Sequence, residues 1–346
     1  MRLSVLDIAP VQTGATAATA LAATIALAQR ADALGCARFW VAEHHGTPSI
    51  ASTSPAVLLA AIGAATTRIR LGAGGVLLPN HAPLVVAEQF QLLDALHPGG
   101  IDLGIGRAPG GEAGLAAALR RRPDERFPAD VDELLARLEV SADIAVWMLG
   151  SSSRGARMAA AHGLPFAYAH HFRPEGTAEA VRAYRETFQP SDRCAEPYVV
   201  VCVNTVCADS DAEAKRLADP GQLGFLRARA GRVGPNPTVA EAAAHDWTPQ
   251  ERAWSDRRQA LQAIGGPDTV RERLAAITAG VDELMVMNTI ADGHTKIDSL
   301  VRVRDLLAAP PLDGWSPRGQ SHPGRAHRVR RAAGSAGGRR ASGSRG

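Results

Sequence analysis

The chain alternates short apolar runs with longer segments of helical periodicity, eight times over, and this alternation restricts its fold more than any other feature. Residues 3–8, 37–42, 69–78, 101–105, 145–149, 165–169, 198–207 and 283–288 read as strands. Between and after them, 16–34, 55–66, 83–96, 129–139, 153–162, 177–188, 268–279 and 295–308 read as helices. The strand-like runs are continuously apolar rather than alternating, the pattern of a parallel sheet covered on both faces. A doubly wound open sheet is the competing arrangement, but no G-x-G-x-x-G follows the first strand, and eight βα units suit closure better. The expectation is an α/β chain folded as a (β/α)8 TIM barrel over 1–309. A partly helical insertion at 218–260, broken by Pro220, Pro235, Pro237 and Pro249, precedes the last strand. A length of 346 residues is ordinary for such a barrel with insertions.

The net charge of +3 misleads about partners. From Ser316 to Gly346 there are eight arginines and no acidic residue, so the remaining 315 residues carry −5. The segment 310–346, rich in Arg, Gly and Ser, has little to bury and reads as a disordered tail. It lacks interleaved aromatics and any recognisable module, so nucleic acid is not an expected partner. No apolar run approaches the roughly 20 residues a bilayer span needs. The Ala-rich stretch at 15–28 is closed by Gln29, Arg30 and Asp32, with Gly35 as a helix stop. Nothing at the N-terminus resembles a secretory leader, and a cytoplasmic location is expected. Cys36, Cys194, Cys202 and Cys207 form no C-x-x-C pair and read as packed free thiols.

In a barrel enzyme, chemistry gathers just after the C-terminal ends of the strands. There the second strand gives Glu43-His44-His45, and the third runs through Gly72-Ala73-Gly74-Gly75 to Asn80-His81. The fourth ends in Gly104-Ile105-Gly106-Arg107-Ala108-Pro109-Gly110, the fifth in Gly150-Ser151-Ser152-Ser153, and the sixth in His170-His171-Phe172. The glycines serve turns or admit a planar ligand against bare backbone. Ser151 to Ser153 open a helix, as a cap or as a phosphate site with Arg107 adding a forked cation. No G-x-x-x-x-G-K-[ST] is present, so a nucleoside triphosphate is not expected. His44, His45, His81, His170 and His171 also invite a metal reading. Glu43 is the one carboxylate adjacent to any of them, however, and alternation turns it away from His44, so no metal centre is expected. No G-x-S-x-G elbow supports hydrolysis.

Taken together, these segments resemble the luciferase-like flavin-dependent monooxygenases. The resemblance rests on Phe39 to His45, Leu71 to His81, Ala87-Glu88-Gln89-Phe90, Leu103 to Gly110, Leu149 to Ser152 and His170-His171-Phe172, in order and spanning about residues 3–308. It implies a TIM barrel that binds reduced FMN, supplied by a separate flavin reductase. O2 and the flavin form a C4a-hydroperoxide that passes one oxygen atom to a small organic substrate. The position matching the catalytic histidine is His44. Glu43, Ala73 and Gly74 fall with the cofactor-binding set, the latter two against the isoalloxazine ring, and Arg107, Ser151 and Ser152 match its phosphate contacts. His45, His81, His170 and His171 are assigned to the substrate pocket. A homodimer formed through early barrel helices is implied as well, with 55–66 and 83–96 as the helices concerned.

The sequence also departs from the family pattern. Gly106 stands where the bacterial luciferase α subunit carries a reactive cysteine, so bioluminescent aldehyde chemistry is not implied. The stretch between Leu138 and Val146 is shorter than in most relatives, and the Arg-rich tail has no counterpart. Related barrels use the deazaflavin F420 for hydride transfer, and some relatives bind flavin without catalysis; both stand as alternatives. The loops at 45–55, 107–127 and 218–260 are the expected determinants of selectivity.

Overall fold

The computed structural model describes residues 1–108, 114–138 and 143–308. The chain runs β1 (Arg2–Asp7), α1 (Ala17–Ala33), β2 (Arg38–Val41), α2 (Pro55–Gly63), β3 (Arg70–Leu77), α3 (Pro83–Leu96) and β4 (Ile101–Gly106). It continues through α4 (Leu115–Ala118), α5 (Phe127–Arg137), β5 (Ala145–Gly150), α6 (Ser153–Ala161), β6 (Phe166–Ala169), α7 (Thr177–Thr187) and β7 (Val199–Cys207). The last stretch is α8 (Asp211–Arg229), α9 (Val239–Ala244), α10 (Pro249–Ala260), β8 (Ala263–Gly265), α11 (Pro267–Ile277), β9 (Glu283–Met287) and α12 (Gly293–Ala308).

Eight parallel strands close into a barrel in the order β6-β5-β4-β3-β2-β1-β9-β7, with β6 pairing back onto β7. All eight are the strands read from the sequence. The three-residue β8 was not foreseen; it pairs with β7 outside the barrel and is too short to carry a period. Two further expectations are corrected. The loop at 107–127 contains the single turn α4, and Pro220 does not break the insertion but lies inside the 19-residue α8. Pro249, by contrast, opens α10, where its missing N–H costs nothing. The tail at 310–346, Pro109-Gly110 and part of the shortened 138–146 stretch lie outside the described residues. No described helix is long and apolar enough to cross a membrane. The four cysteines are free and buried.

Alternation along each strand divides the core in two. Outward side chains such as Val41, Leu71, Ile105 and Val201 pack beneath the helices. Inward ones, among them Leu6, Trp40, Trp147, Val200, Met285 and Met287, fill the barrel. Trp147 meets Trp40 and Tyr198 edge-on, with centroids 5.3 and 5.8 Å away.

Below that apolar filling, at the N-terminal ends of the strands, lies a buried ionic layer. Arg38 donates from Nε to Glu283 (2.8 Å) and from Nη1 to Asp102 (2.9 Å). Asp102 also accepts from Trp40 Nε1 (3.0 Å) and Arg70 Nε (2.9 Å), while Glu283 accepts from Tyr198 (2.8 Å) and Ser4. Two arginines thus face two carboxylates. Burial pushes the Asp102 carboxyl up, but the charges of Arg38 and Arg70 outweigh it and hold the group below the usual range. At the other end of β1, Asp7 binds Lys296 of α12 (2.7 Å) and Thr24 of α1 (2.5 Å), tying both helices to the strand.

Candidate active site

Three neighbouring strands carry glycine in their C-terminal halves. On β3 the register against β4 slips between Gly74 and Val76, so Gly75 is an extra, unpaired residue, and the Gly74–Gly75 peptide is cis. Side chains are excluded here by contact. A Cβ on Gly74 would lie 2.9 Å from both Leu6 and Trp40, one on Gly75 2.7 Å from the Gly104 carbonyl, and one on Gly104 2.2 Å from the Ala73 carbonyl. Ala73 itself packs outward under the helices rather than toward the barrel. Gly106 and Gly150 continue the bare rim onto β4 and β5.

The paired residues Glu43 and His44 take opposite directions. His44 lies two residues past the inward-facing Ala42, and its Nδ1 is buried with no partner among the described residues. Burial, opposed by the Glu43 carboxylate, pushes this ring below the usual histidine range, so it stands neutral near pH 7. Glu43 turns to the outer rim. Its Oε1 accepts from His45 Nε2 (2.7 Å), His81 Nε2 (2.8 Å) and Asn80 Nδ2 (3.4 Å), and its Oε2 accepts from the Leu77 N–H (2.9 Å). Burial raises this carboxyl, but the His81 contact, the Leu77 N–H and the His45 contact together hold it low. Glu43 therefore ties the end of β2 to the end of β3 and positions its neighbour His44. The histidine–carboxylate convergence not expected from the sequence is real. Glu43, His45 and His81 offer ligand atoms within 4.8 Å of one another, all three engaged in the hydrogen bonds just given.

The remaining sequence candidates separate. His171 donates from Nδ1 to the Cys202 carbonyl (3.1 Å). Burial pushes it down to about 4 against that bond, and the charges of His170, His44 and Arg258 add to the effect, which places His171 in the electrostatic reach of His44. His170 is buried with both ring nitrogens occupied, by Thr177 (2.7 Å) and the Leu261 carbonyl (2.8 Å), and acts as a clasp between β6 and the end of α10. Ser152 caps α6, its Oγ accepting from the Gly155 N–H at 3.3 Å. Ser151 precedes it, with its carbonyl facing the Tyr168 hydroxyl at 3.4 Å. Arg107 is partly buried; its carbonyl is held by Arg121 (2.7 Å), and no described carboxylate pairs with its guanidinium. Sequence reasoning missed Asn204. In β7 it is paired with the inward Met287, and its Oδ1 is buried with no partner among the described residues. Only its even spacing from Val200 and Cys202 signals this direction.

One family description covers most of the barrel: a model described as luciferase-like monooxygenase matches residues 1–139 and 117–283. The chain belongs to that family. A luciferase-like monooxygenase of Escherichia coli is 38% identical over 321 residues, covering 88% of this chain and 96% of its own length. The N-acetyl-S-alkylcysteine monooxygenase of Bacillus subtilis is 38% identical over 208 residues, covering 54% of this chain and 62% of its own length. Among solved structures, apo-MsnO8 superposes with a TM-score of 0.82 at 36% identity over 90% of this chain and 99% of its own. Two more distant structures share the fold alone. The oxygenating constituent of 3,6-diketocamphane monooxygenase from Pseudomonas putida, in complex with FMN, has TM-score 0.67 at 19% identity, covering 89% of this chain and 98% of its own. An F420-dependent secondary alcohol dehydrogenase has TM-score 0.58 at 13% identity, covering 88% of this chain and 97% of its own. The luciferase-like family member described here is accordingly a monooxygenase-type oxidoreductase on a TIM barrel.

Proposed function

We propose that this chain binds reduced FMN at the C-terminal face of its barrel and uses O2 to place one oxygen atom on a small organic substrate. The observation that carries this reading is the pair of orphaned polar atoms, His44 Nδ1 and Asn204 Oδ1, on inward positions above the apolar barrel filling. Buried groups of this kind cost free energy unless a ligand completes them. The bare rim at Gly74-Gly75 and Gly106 suits close approach of a planar ring, and the α6 N-terminus with Ser151, Ser152 and the uncommitted Arg107 suits one phosphate. When bound, reduced FMN supplies the electrons that activate O2, one oxygen atom going to the substrate and the other to water.

The protein's part is positioning, exclusion of water and handling of a proton. His44, neutral and partnerless at Nδ1, can accept or return a proton there without breaking an existing hydrogen bond. Glu43 and the imidazoles it binds fix the backbone that carries it. The named relative supplies one substrate class to try, an N-acetyl-S-alkylcysteine. A flavin reductase is the implied source of reduced FMN. Exposed Val57 on α2 and Leu84, Val85, Leu92 and Leu96 on α3 form an apolar face suited to a second copy of the chain.

Anaerobic titration with reduced FMN and reduced F420, followed by mixing with O2 and substrate under 18O2, tests the reading. The expected result is FMN-selective binding and one 18O atom in the product, lost in His44→Ala with binding retained. Binding of F420 alone, or product without 18O, refutes it.

A further inference from the structure

The C-terminal end of α10 is stitched to the catalytic face. His170 Nε2 binds the Leu261 carbonyl (2.8 Å), the Asn204 N–H donates to Gln262 Oε1 (3.1 Å), and Gln262 Nε2 returns to the His170 carbonyl (3.5 Å). One turn back from Leu261 stands Arg258. Its guanidinium carbon lies 4.5 Å from the centre of the Phe225 ring and 5.1 Å from that of Trp254, and these two rings stack at 5.5 Å. Its Nε reaches Gln222 Oε1 at 3.4 Å. Among the described residues no carboxylate lies within ion-pair distance; burial and the charge of Arg229 disfavour the cation, and Glu175 offsets this only from farther away. The other partly buried cations of α8 to α10 are matched: Arg252 with Asp219 (3.0 Å), Arg227 with Glu241 (3.5 Å) and Lys215 with Asp256. A partly buried arginine without a counter-ion in contact is costly unless something anionic arrives.

Its surroundings define what that ligand must be. Phe225 is 40% exposed, Leu261 42% and Phe172, next to His171, 75%, so apolar surface stands open around the same cation. The groups suited to the flavin phosphate lie at the ends of β4 and β5, whereas Arg258 stands one turn before Leu261 and Gln262, which bond to His170 after β6 and Asn204 of β7.

We propose that Arg258 selects the substrate by its carboxylate: the natural ligand is an amphipathic organic acid whose carboxylate pairs with the guanidinium and whose apolar arm lies along Phe225 toward the barrel mouth. This inference rests on the oxygenase reading for the identity of the ligand as substrate, but its test is a binding measurement independent of turnover. The planar guanidinium on an aromatic platform favours a forked, charge-assisted contact, worth roughly 10- to 100-fold in affinity over the neutral amide.

The test uses isothermal titration of the full chain, with and without reduced FMN under anaerobic conditions. The probes are N-acetyl-S-hexylcysteine and octanoate, each against its primary amide. Wild-type protein is expected to bind at least one acid 10-fold or more tightly than its amide. Arg258→Met, which keeps the stem on the rings, should bind acid and amide within about 2-fold, with reduced-FMN affinity unchanged. Acid bound no better than amide by the wild type, or preference retained in Arg258→Met, overturns the proposal. A fall in reduced-FMN affinity in Arg258→Met also overturns it, by assigning the arginine to the cofactor. Failure of FMN to bind at all, with the acid preference intact, refutes the oxygenase reading and leaves this site standing.

Discussion

Replacing Asp102 by asparagine tests whether the ionic layer at the base of the barrel is a matched unit. The carboxylate is fully buried, and its two oxygens face a set of donors that a carboxamide cannot satisfy. Oδ1 receives Arg70 Nε, and Oδ2 receives both Arg38 Nη1 and Trp40 Nε1. Guanidinium and indole groups only donate, so neither has a tautomer that would accept from an amide NH2. Either orientation of the carboxamide therefore sets donor against donor. The substitution also leaves Arg38 with Glu283 alone and Arg70 with only the Gly99 and Ile101 carbonyls. Breaking a buried charge pair on one side costs about 3–5 kcal/mol, and Arg70, partly exposed, recovers some of this through water. We expect Asp102→Asn to lose about 3–4 kcal/mol in urea unfolding at pH 7. Since the folded carboxyl is held below its unfolded value, this contribution is complete above the unfolded pKa and fades as pH falls through the lower folded one. The wild-type advantage should thus shrink below about pH 4. Because the layer lies at the end of the barrel opposite His44, reduced-FMN affinity of the folded variant should not change. A variant within about 1 kcal/mol of wild type at pH 7 would refute the reasoning.

Three further outcomes follow from particular contacts. Gly104→Ala places a Cβ 2.2 Å from the Ala73 carbonyl, a backbone atom that cannot step aside; it should cost at least about 2 kcal/mol in urea unfolding and weaken flavin binding by displacing the Gly74–Gly75 rim. His171 titrates near 4 in the folded chain while the unfolded chain takes up its proton near 6.5, so stability is full above pH 6.5 and declines toward pH 4. His171→Gln, which can still donate to Cys202, should remove about 2 kcal/mol of that decline once the ring's partial exposure is allowed for, as followed by thermal unfolding across this range. Leu92→Glu on the apolar face of α3 should convert a dimer to monomer in analytical ultracentrifugation without loss of fold; a variant that still sediments as a dimer would reject that face as the interface.

The eight barrel strands were legible because each is a run of apolar residues long enough to register, bounded by glycine, proline or polar turns, and because both faces of such a sheet are buried. β8 escaped since three residues carry no period. Pro220 misled because a proline usually ends a helix, whereas the packed interior of α8 tolerates it. His44 and Arg107 were visible as reactive side chains at strand ends, and Glu43 was placed by alternation on the side away from His44.

What the sequence by itself determined is the alternation of elements, hence the parallel barrel and the face on which its chemistry gathers. Tertiary structure alone decided which of those side chains meet. The histidines at 45 and 81 are 36 positions apart and share one carboxylate oxygen only because β2 and β3 are neighbours in the closed sheet. His170 is spent as a clasp on α10, while Asn204, unremarkable in the chain, is left with an orphaned oxygen at the mouth. The base layer joins Arg38, Asp102 and Glu283 from strands far apart in sequence. Hydrophobic pattern is local and can be read along a chain, but hydrogen-bond and charge satisfaction is a property of three-dimensional neighbours, fixed only when the barrel closes.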